Sequence, residues 1–248
     1  MYSLFRTLLT VLPLGTALAL AACGGADDID PPVPSPPEYL TRQVPAVVAP
    51  PQAGRPAGQA PRRVVLHGID LTGIGYDEGA ADAPVVIVNF SDFGCPYCGT
   101  YARETHPALA REYIATGKVF YKYVPFVMGM FPNGDKAARA AECAAEQGQF
   151  AAMHDRLYAE QRAWKRGGEP AQVFAQAAAS IGLDRPAFDA CVAAGTVDAR
   201  TAAANDRAMR LNIRATPTFF IDGREVEGAL PLDVFRKVLD EVTSAASR

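Results

Sequence analysis

Two apolar runs in the first half of the chain predict neighbouring strands. The run 84–90 (PVVIVNF) predicts a buried strand, and the alternating run 119–124 (VFYKYV) predicts another. Between them, residues 96–115 have a helical pattern that is stopped by Thr116 and Gly117. Because a helix separates the two strands, we expect them to pair in parallel.

A long stretch after the second strand predicts helices only. From about residue 133 to residue 208, alanines and larger apolar residues recur at helical spacing. Gly182 stands where it would end one helix, and Asp184 where it would cap the next. The predicted helices run from Ala137 through Tyr158, over 171–181, after Asp184 and over 199–211, with a polar, glycine-containing loop at 162–170.

The last part of the chain predicts a hairpin followed by a closing helix. Its two short strands are separated by an Asp-Gly pair, which is typical of a tight hairpin turn. The predicted elements are strands at 218–221 and 224–227, a turn at Asp222-Gly223 and an amphipathic helix at 232–242.

The α/β elements flank the helical block on both sides in the sequence. We therefore predict an α/β domain formed by residues 62–127 and 212–248, with a helical domain inserted at 128–211. At the start of this domain, residues 64–66 predict a short strand and the glycine- and aspartate-rich residues 68–83 predict mostly loop.

Residues 1–22 have the pattern of an export signal. Arg6 gives a positive start, and residues 7–22 are uncharged, rich in Leu and Ala, and too short for a comfortable membrane span. The sequence LAACG at 20–24 resembles the bacterial lipobox, which implies cleavage before Cys23 and lipidation of that cysteine. A glycine rather than an aspartate after it favours the outer membrane in a cell with two membranes. The alternative is a plain secretory signal that leaves Cys23 as a free thiol.

The segment that follows the signal predicts a tether. Ten of the chain's twenty prolines lie between residues 24 and 61, with few large apolar side chains. Proline favours an extended chain. We therefore expect residues 23–61 to connect a lipid anchor to the folded part. The net charge of −3 does not favour a nucleic-acid partner, which would need a basic face.

The pair Cys95 and Cys98 is the main candidate for chemistry. It follows a predicted strand and opens a predicted helix, where free N–H groups and the helix dipole stabilise a thiolate on Cys95. Pro96 suits the first helical turn, and Cys98 lies on the same helix face but deeper. Structural zinc would need a second ligand pair, haem attachment would need a histidine where Gly99 stands, and an inert disulfide of this span would be unusual.

A second motif lies late in the chain, where Thr216 and Pro217 lead into a strand and a tight turn. A CxxC pair early and a Thr-Pro strand late resemble the thioredoxin fold, and specifically the DsbA-like thiol–disulfide oxidoreductases. This resemblance implies a central mixed sheet flanked by helices, with an inserted all-helical domain. It also implies a cis peptide bond before Pro217, beside Cys95. The alternative is an ordinary trans proline.

The resemblance implies an enzyme without a cofactor or a metal. Cys95 would attack and Cys98 would resolve, with a mixed disulfide formed through Cys95. The partners implied are cysteines of exported proteins and a membrane redox partner. Two rival functions stay open: a reductase or isomerase of the same fold, and a non-catalytic envelope chaperone or binding protein.

The remaining cysteines, Cys143 and Cys191, lie in helical patterns. Relatives with a helical insertion often bridge two of its helices, so the resemblance implies a structural disulfide between them; the alternative is two buried, inert thiols. Two departures from the family also matter. Asn89 stands where many relatives have a buried glutamate that transfers protons, and Tyr97 replaces a histidine of the strongest oxidant. Both changes point to a less oxidising site.

Two further groups of residues have weaker patterns. The apolar cluster of Phe126, Met128, Met130 and Phe131 is either core at the domain junction or an adaptable surface for unfolded clients. No motif surrounds the three histidines, so we assign surface or structural roles to His67, His106 and His154.

Overall fold

The computed structural model describes residues 61–166 and 168–246. The predicted export signal, Cys23 and all but the last residue of the proline-rich segment lie outside the described residues. Among the helices that the structure does describe, none has the length and apolar character needed to cross a membrane.

A five-stranded mixed sheet forms the centre of the fold, in the order β3-β5-β4-β6-β7. β4 and β5 pair in parallel, as predicted, and the other neighbours pair antiparallel. A separate two-stranded sheet pairs β1 with β2. The strands are β1 (Val65–Leu66), β2 (Ile69–Asp70), β3 (Tyr76–Glu78), β4 (Val85–Ser91), β5 (Val119–Pro125), β6 (Thr218–Ile221) and β7 (Arg224–Glu227).

The two faces of β4 contact different parts of the core. Side chains alternate along a strand, so Val85 and Ile87 join one buried cluster while Val88 and Phe90 join the other. Burial on both faces explains why the sequence of β4 is a nearly continuous apolar run. The same alternation places Asn89 and Ser91 on the face that contacts the cysteine-bearing helix.

A helical segment that contains two π-helical turns follows β4. It contains α1 (Pro96–Thr100), a π-helical turn (Tyr101–Thr105), α2 (His106–Leu109) and a second π-helical turn (Ala110–Ile114). Pro107 has no N–H to donate, and the pattern of backbone hydrogen bonds changes next to it. The predicted uninterrupted helix over 96–115 is therefore a helical segment of mixed type.

In the described part of the chain, six helices lie between β5 and β6, and one follows β7. The helices of this part are α3 (Gly134–Ala145), α4 (Phe150–Ala159), α5 (Gln161–Arg166), α6 (Pro170–Ser180), α7 (Arg185–Ala194), α8 (Asp198–Arg210) and α9 (Leu232–Ala246). The cysteine-bearing segment and α9 cover one face of the sheet, and α8 covers the other. This arrangement confirms the predicted mixed sheet flanked by helices.

Short regular elements lie in both segments for which loop was predicted. The segment 68–83 is mostly loop, as expected, but also contains β2 and β3, of which β3 pairs with β5. α5 occupies most of the predicted loop 162–170, because Trp164 is fully buried there and its indole N–H donates to Leu157 O at 2.8 Å. Long-range pairing and burial stabilise β3 and α5, and local sequence gives little sign of either effect.

A disulfide joins Cys143 in α3 to Cys191 in α7, with their Cα atoms 5.8 Å apart. It links two helices of the helical block, as the family resemblance implied. α7 begins at the predicted cap, since the Asp184 carboxylate accepts a hydrogen bond from Ala187 N–H at 2.8 Å.

Candidate active site

Cys95 is the N-cap residue of α1, and Pro96 takes the first helical position. The loop that delivers it begins at Asp92, whose carboxylate accepts from Gly94 N–H at 2.8 Å and whose carbonyl accepts from Cys95 N–H at 3.0 Å. Cys95 and Cys98 are both buried free thiols. Tyr97 between them is 68% exposed, so the site opens to solvent across this side chain.

The two thiols have opposite tendencies to ionise. The pKa of Cys95 is lowered to about 6, above all because Cys98 donates a hydrogen bond to it. The Thr216 side chain and backbone N–H groups at the start of α1 add to this effect, against the opposing effect of burial. Burial, followed by its contact with Cys95, raises the pKa of Cys98 well above its ordinary value. Cys95 is therefore the more acidic of the two thiols, and Cys98 keeps its proton to higher pH.

This difference predicts how the reduced protein reacts with iodoacetamide. Because the thiolate is the nucleophile, the alkylation rate of Cys95 should rise as the pH increases through about 6. The same residue in the denatured chain should show its midpoint near 8.5. Timed labelling followed by mass spectrometry of the Cys95 peptide measures both profiles. A midpoint near 8.5 in the folded chain would contradict the geometry described here.

The loop before β6 lies directly against Cys95. The Thr216–Pro217 peptide bond is cis, and Cys95 Sγ donates to Thr216 O at 3.2 Å. The Thr216 hydroxyl is buried close to Cys95 and helps to lower the pKa of that thiol. The structure thus brings Thr216 and the first cysteine together across 121 positions of sequence.

Asn89 occupies the position of the family's glutamate on β4. It is buried, and its amide N–H donates to Tyr121 Oη at 2.7 Å. Its amide oxygen has no hydrogen-bond partner among the described residues. An amide does not ionise near neutral pH, so Asn89 contributes a structural hydrogen bond.

Asp92, which the sequence analysis missed, connects the segments that follow β4 and β5. Its carboxylate accepts from Gly94 N–H and, at 3.2 Å, from Met128 N–H beyond β5. Burial raises the pKa of Asp92 to about 7, although the two backbone donors oppose this shift. Gly134 leaves the space that the carboxylate fills, since a Cβ added there would lie 2.6 Å from Asp92 Oδ1.

The unpredicted helix α5 supplies two more residues that hold the cysteine loop. The buried Gln161 amide donates to Phe93 O at 2.6 Å and to Cys95 O at 2.8 Å. Lys165 donates to Gly94 O, which places a cation close to the Cys95 sulfur. Residues 161, 164 and 165 lie on one helical face, a spacing that would have revealed the site only if α5 had been predicted.

The apolar cluster after β5 does not form one surface. Phe126 is part of the core and Met128 packs against it, whereas Met130 is 49% exposed. Phe131 lies directly beside the cysteine loop. A Cβ added to Gly94 would come within 2.4 Å of Phe131 Cβ. Each of the two expected roles therefore fits only some of these residues.

Residues 75–241 match a protein-family model described as thioredoxin. The chain belongs to this thioredoxin family. The Bacillus subtilis protein BdbD, in its oxidised crystal structure, superposes with a TM-score of 0.63 at 20% identity, covering 75% of this chain and 100% of that one. Wolbachia pipientis α-DsbA1 gives a TM-score of 0.62 at 23% identity, covering 68% and 91%. These likenesses show a DsbA-like thioredoxin fold.

Curated relatives of this thioredoxin-family chain include proteins of two kinds. The Na⁺/H⁺ antiporter NhaA 3 of Salinispora tropica is 36% identical over 152 residues, which is 60% of this chain and 22% of the antiporter. The chain thus spans less than a quarter of that relative's length. A probable disulfide bond formation protein D of Bacillus anthracis is 26% identical over 169 residues, covering 66% of this chain and 76% of that protein.

Proposed function

We propose that this protein is an extracytoplasmic thiol–disulfide oxidoreductase that exchanges disulfides with cysteines of exported proteins. The observation that supports this most strongly is the pairing of a low-pKa Cys95 at a helix N-terminus with a buried, protonated Cys98. The name of the Bacillus anthracis relative, a probable disulfide bond formation protein, agrees with it.

The proposed reaction uses Cys95 as the sulfur that meets the substrate. A substrate thiolate attacks Cys95 of the Cys95–Cys98 disulfide, and Cys98 leaves with the electron pair. A second substrate thiolate then attacks the substrate sulfur of this mixed disulfide and expels Cys95. The substrate is oxidised to a disulfide and the enzyme is reduced to the dithiol by the same two electrons. A membrane redox partner would reoxidise it.

Thr216 and Pro217 are proposed to support substrate binding. The Thr216 carbonyl, which accepts from the Cys95 thiol here, lies at the edge where an extended substrate backbone would approach. Pro96 and the exposed Tyr97 would form the neighbouring surface.

We propose that the protein acts from the cell envelope, anchored through a lipid on Cys23. This part rests on the export signal and the LAACG sequence at residues 20–24. Mass spectrometry of the N-terminal peptide from the membrane fraction tests it, since a free N-terminal thiol would point to plain secretion.

The reduction potential of the Cys95–Cys98 pair decides between an oxidase and a reductase. The full chain, equilibrated in glutathione buffers, should show a reversible dithiol–disulfide equilibrium of Cys95 and Cys98. A potential near about −120 mV marks a disulfide donor, and one near or below about −230 mV marks a reductant. Asn89 and Tyr97 favour a less oxidising value. A pair that does not exchange with glutathione at any ratio would contradict both directions.

A further inference from the structure

The proposed reaction moves a proton at Cys98 in every cycle. When Cys98 leaves as a thiolate, its high pKa requires a proton from elsewhere, and the buried sulfur has no direct contact with bulk water. Asn89 cannot supply that proton. The question of which group does so arises only if the proposed function holds.

A serine hydroxyl lies between the second cysteine and a buried tyrosine. Ser91 lies two residues after Asn89 in β4, so its side chain is on the same face of the sheet. It is also nearer to Cys95 and Cys98 along the chain. Its hydroxyl and the Asp92 N–H lie near enough to Cys98 to lower the pKa of that thiol, although burial dominates. The other partner of the hydroxyl is Tyr158 Oη, at 3.0 Å.

The hydroxyls of Tyr158 and Tyr123, beyond Ser91, form a buried, hydrogen-bonded group. Tyr158 Oη lies 3.3 Å from Tyr123 Oη and 3.4 Å from Asp92 O. Burial raises the pKa of both tyrosines well above the ordinary value, so both stay neutral. A neutral hydroxyl can donate one proton while it accepts another, which proton transfer along a chain requires.

Tyr158 also lines an open cavity of about 440 Å³. Two carboxylate–imidazole pairs lie in its wall: Glu78 with His106, at 3.4 Å, and Asp155 with His154, at 2.9 Å. The His154 ring packs edge-on against the Tyr158 ring, with centroids 4.9 Å apart. The hydrogen-bonded hydroxyls thus lead from Ser91 to a residue that lines this cavity.

We propose that Ser91 and Tyr158 form a hydroxyl relay that moves the Cys98 proton between the active site and this cavity. As the Cys95–Cys98 bond breaks, the Cys98 thiolate takes the Ser91 proton, Ser91 takes the Tyr158 proton, and Tyr158 takes one from water in the cavity. Reoxidation runs the same transfers in reverse. One solvent proton is gained for each Cys98 thiol formed, and the relay itself is unchanged.

The test measures how fast dithiothreitol reduces the oxidised full chain, in H₂O and in D₂O. Ser91→Ala and Tyr158→Phe should each slow reduction about tenfold or more, since positioned proton transfer contributes at least that much. Both should change the solvent isotope effect, which a merely structural role would leave unaltered. Ser91→Thr keeps the hydroxyl and should restore the rate.

Tyr121→Phe is the matched control, because it removes a buried hydroxyl that hydrogen bonds to Asn89 instead. It should react at the wild-type rate. Wild-type reduction no faster than that of glutathione disulfide overturns the proposed function and the relay with it. If the wild type is reduced rapidly and Ser91→Ala and Tyr158→Phe are reduced at the same rate, the relay alone is overturned. The same holds if Tyr121→Phe is the only slowed variant.

Discussion

Replacing Cys95 by serine is expected to abolish thiol–disulfide exchange. The serine hydroxyl forms no disulfide, and at neutral pH it does not ionise as the Cys95 thiol does with its pKa of about 6. The remaining Cys98 is buried and its pKa is raised, so it should not replace Cys95 as the nucleophile. The loss should amount to several orders of magnitude in the rate at which the full chain oxidises a reduced two-cysteine peptide.

Cys98→Ser is the matched variant, since it also removes one thiol from the pair. It keeps Cys95 and, when given the oxidised peptide, should form a mixed disulfide as the Cys95 thiolate attacks the peptide disulfide; the product is visible as an added mass on the Cys95 fragment. If Cys95→Ser exchanged disulfides at the wild-type rate, the thioredoxin fold here would serve another purpose. Client binding by a variant without either thiol would then favour the non-catalytic binding protein.

The local part of the site could be predicted from the sequence. A buried strand, a turn and a helix that starts with proline place Cys95 at the helix N-terminus whatever the rest of the chain does. The approach of Thr216 to Cys95 could not be obtained in this way. It joins residues 121 positions apart, and only the resemblance to the thioredoxin fold indicated it.

The parts that sequence reasoning missed depend on contacts between distant residues. Gln161 holds the carbonyls of the cysteine loop from a six-residue helix, too short to be stable without the burial of Trp164. Asp92 directly follows β4, yet its second donor, Met128, lies beyond the next strand. In both cases the residue type was visible in the sequence but its partner was not.

These missed residues also explain how the helical block bears on the cysteine chemistry. α5 belongs to the block in sequence, yet two of its polar side chains, Gln161 and Lys165, donate to the loop that ends at Cys95. Anything that holds the helices of the block together therefore supports the geometry of the site. The Cys143–Cys191 disulfide is the covalent part of that support.

Removing this disulfide is expected to lower the free energy of unfolding by about 3–4 kcal/mol. The bridge spans 48 positions, and a crosslink of that length restricts the unfolded chain strongly. The comparison is between Cys143→Ala/Cys191→Ala and the parent, both carrying Cys95→Ser and Cys98→Ser so that no active-site thiol can reshuffle the bridge. Urea unfolding of the two proteins measures the difference.

The slope of the unfolding free energy against urea separates two explanations of that loss. An unbridged chain should expose more surface when unfolded, so the slope should increase together with the fall in stability. A fall without a change in slope would assign the effect to the cavity left at the buried Cys143. A fall of less than about 1 kcal/mol would contradict the prediction, because the unfolded chain would then gain little freedom from loss of the bridge. The packing of α3 against α7 would in that case be sufficient to hold the helical block together.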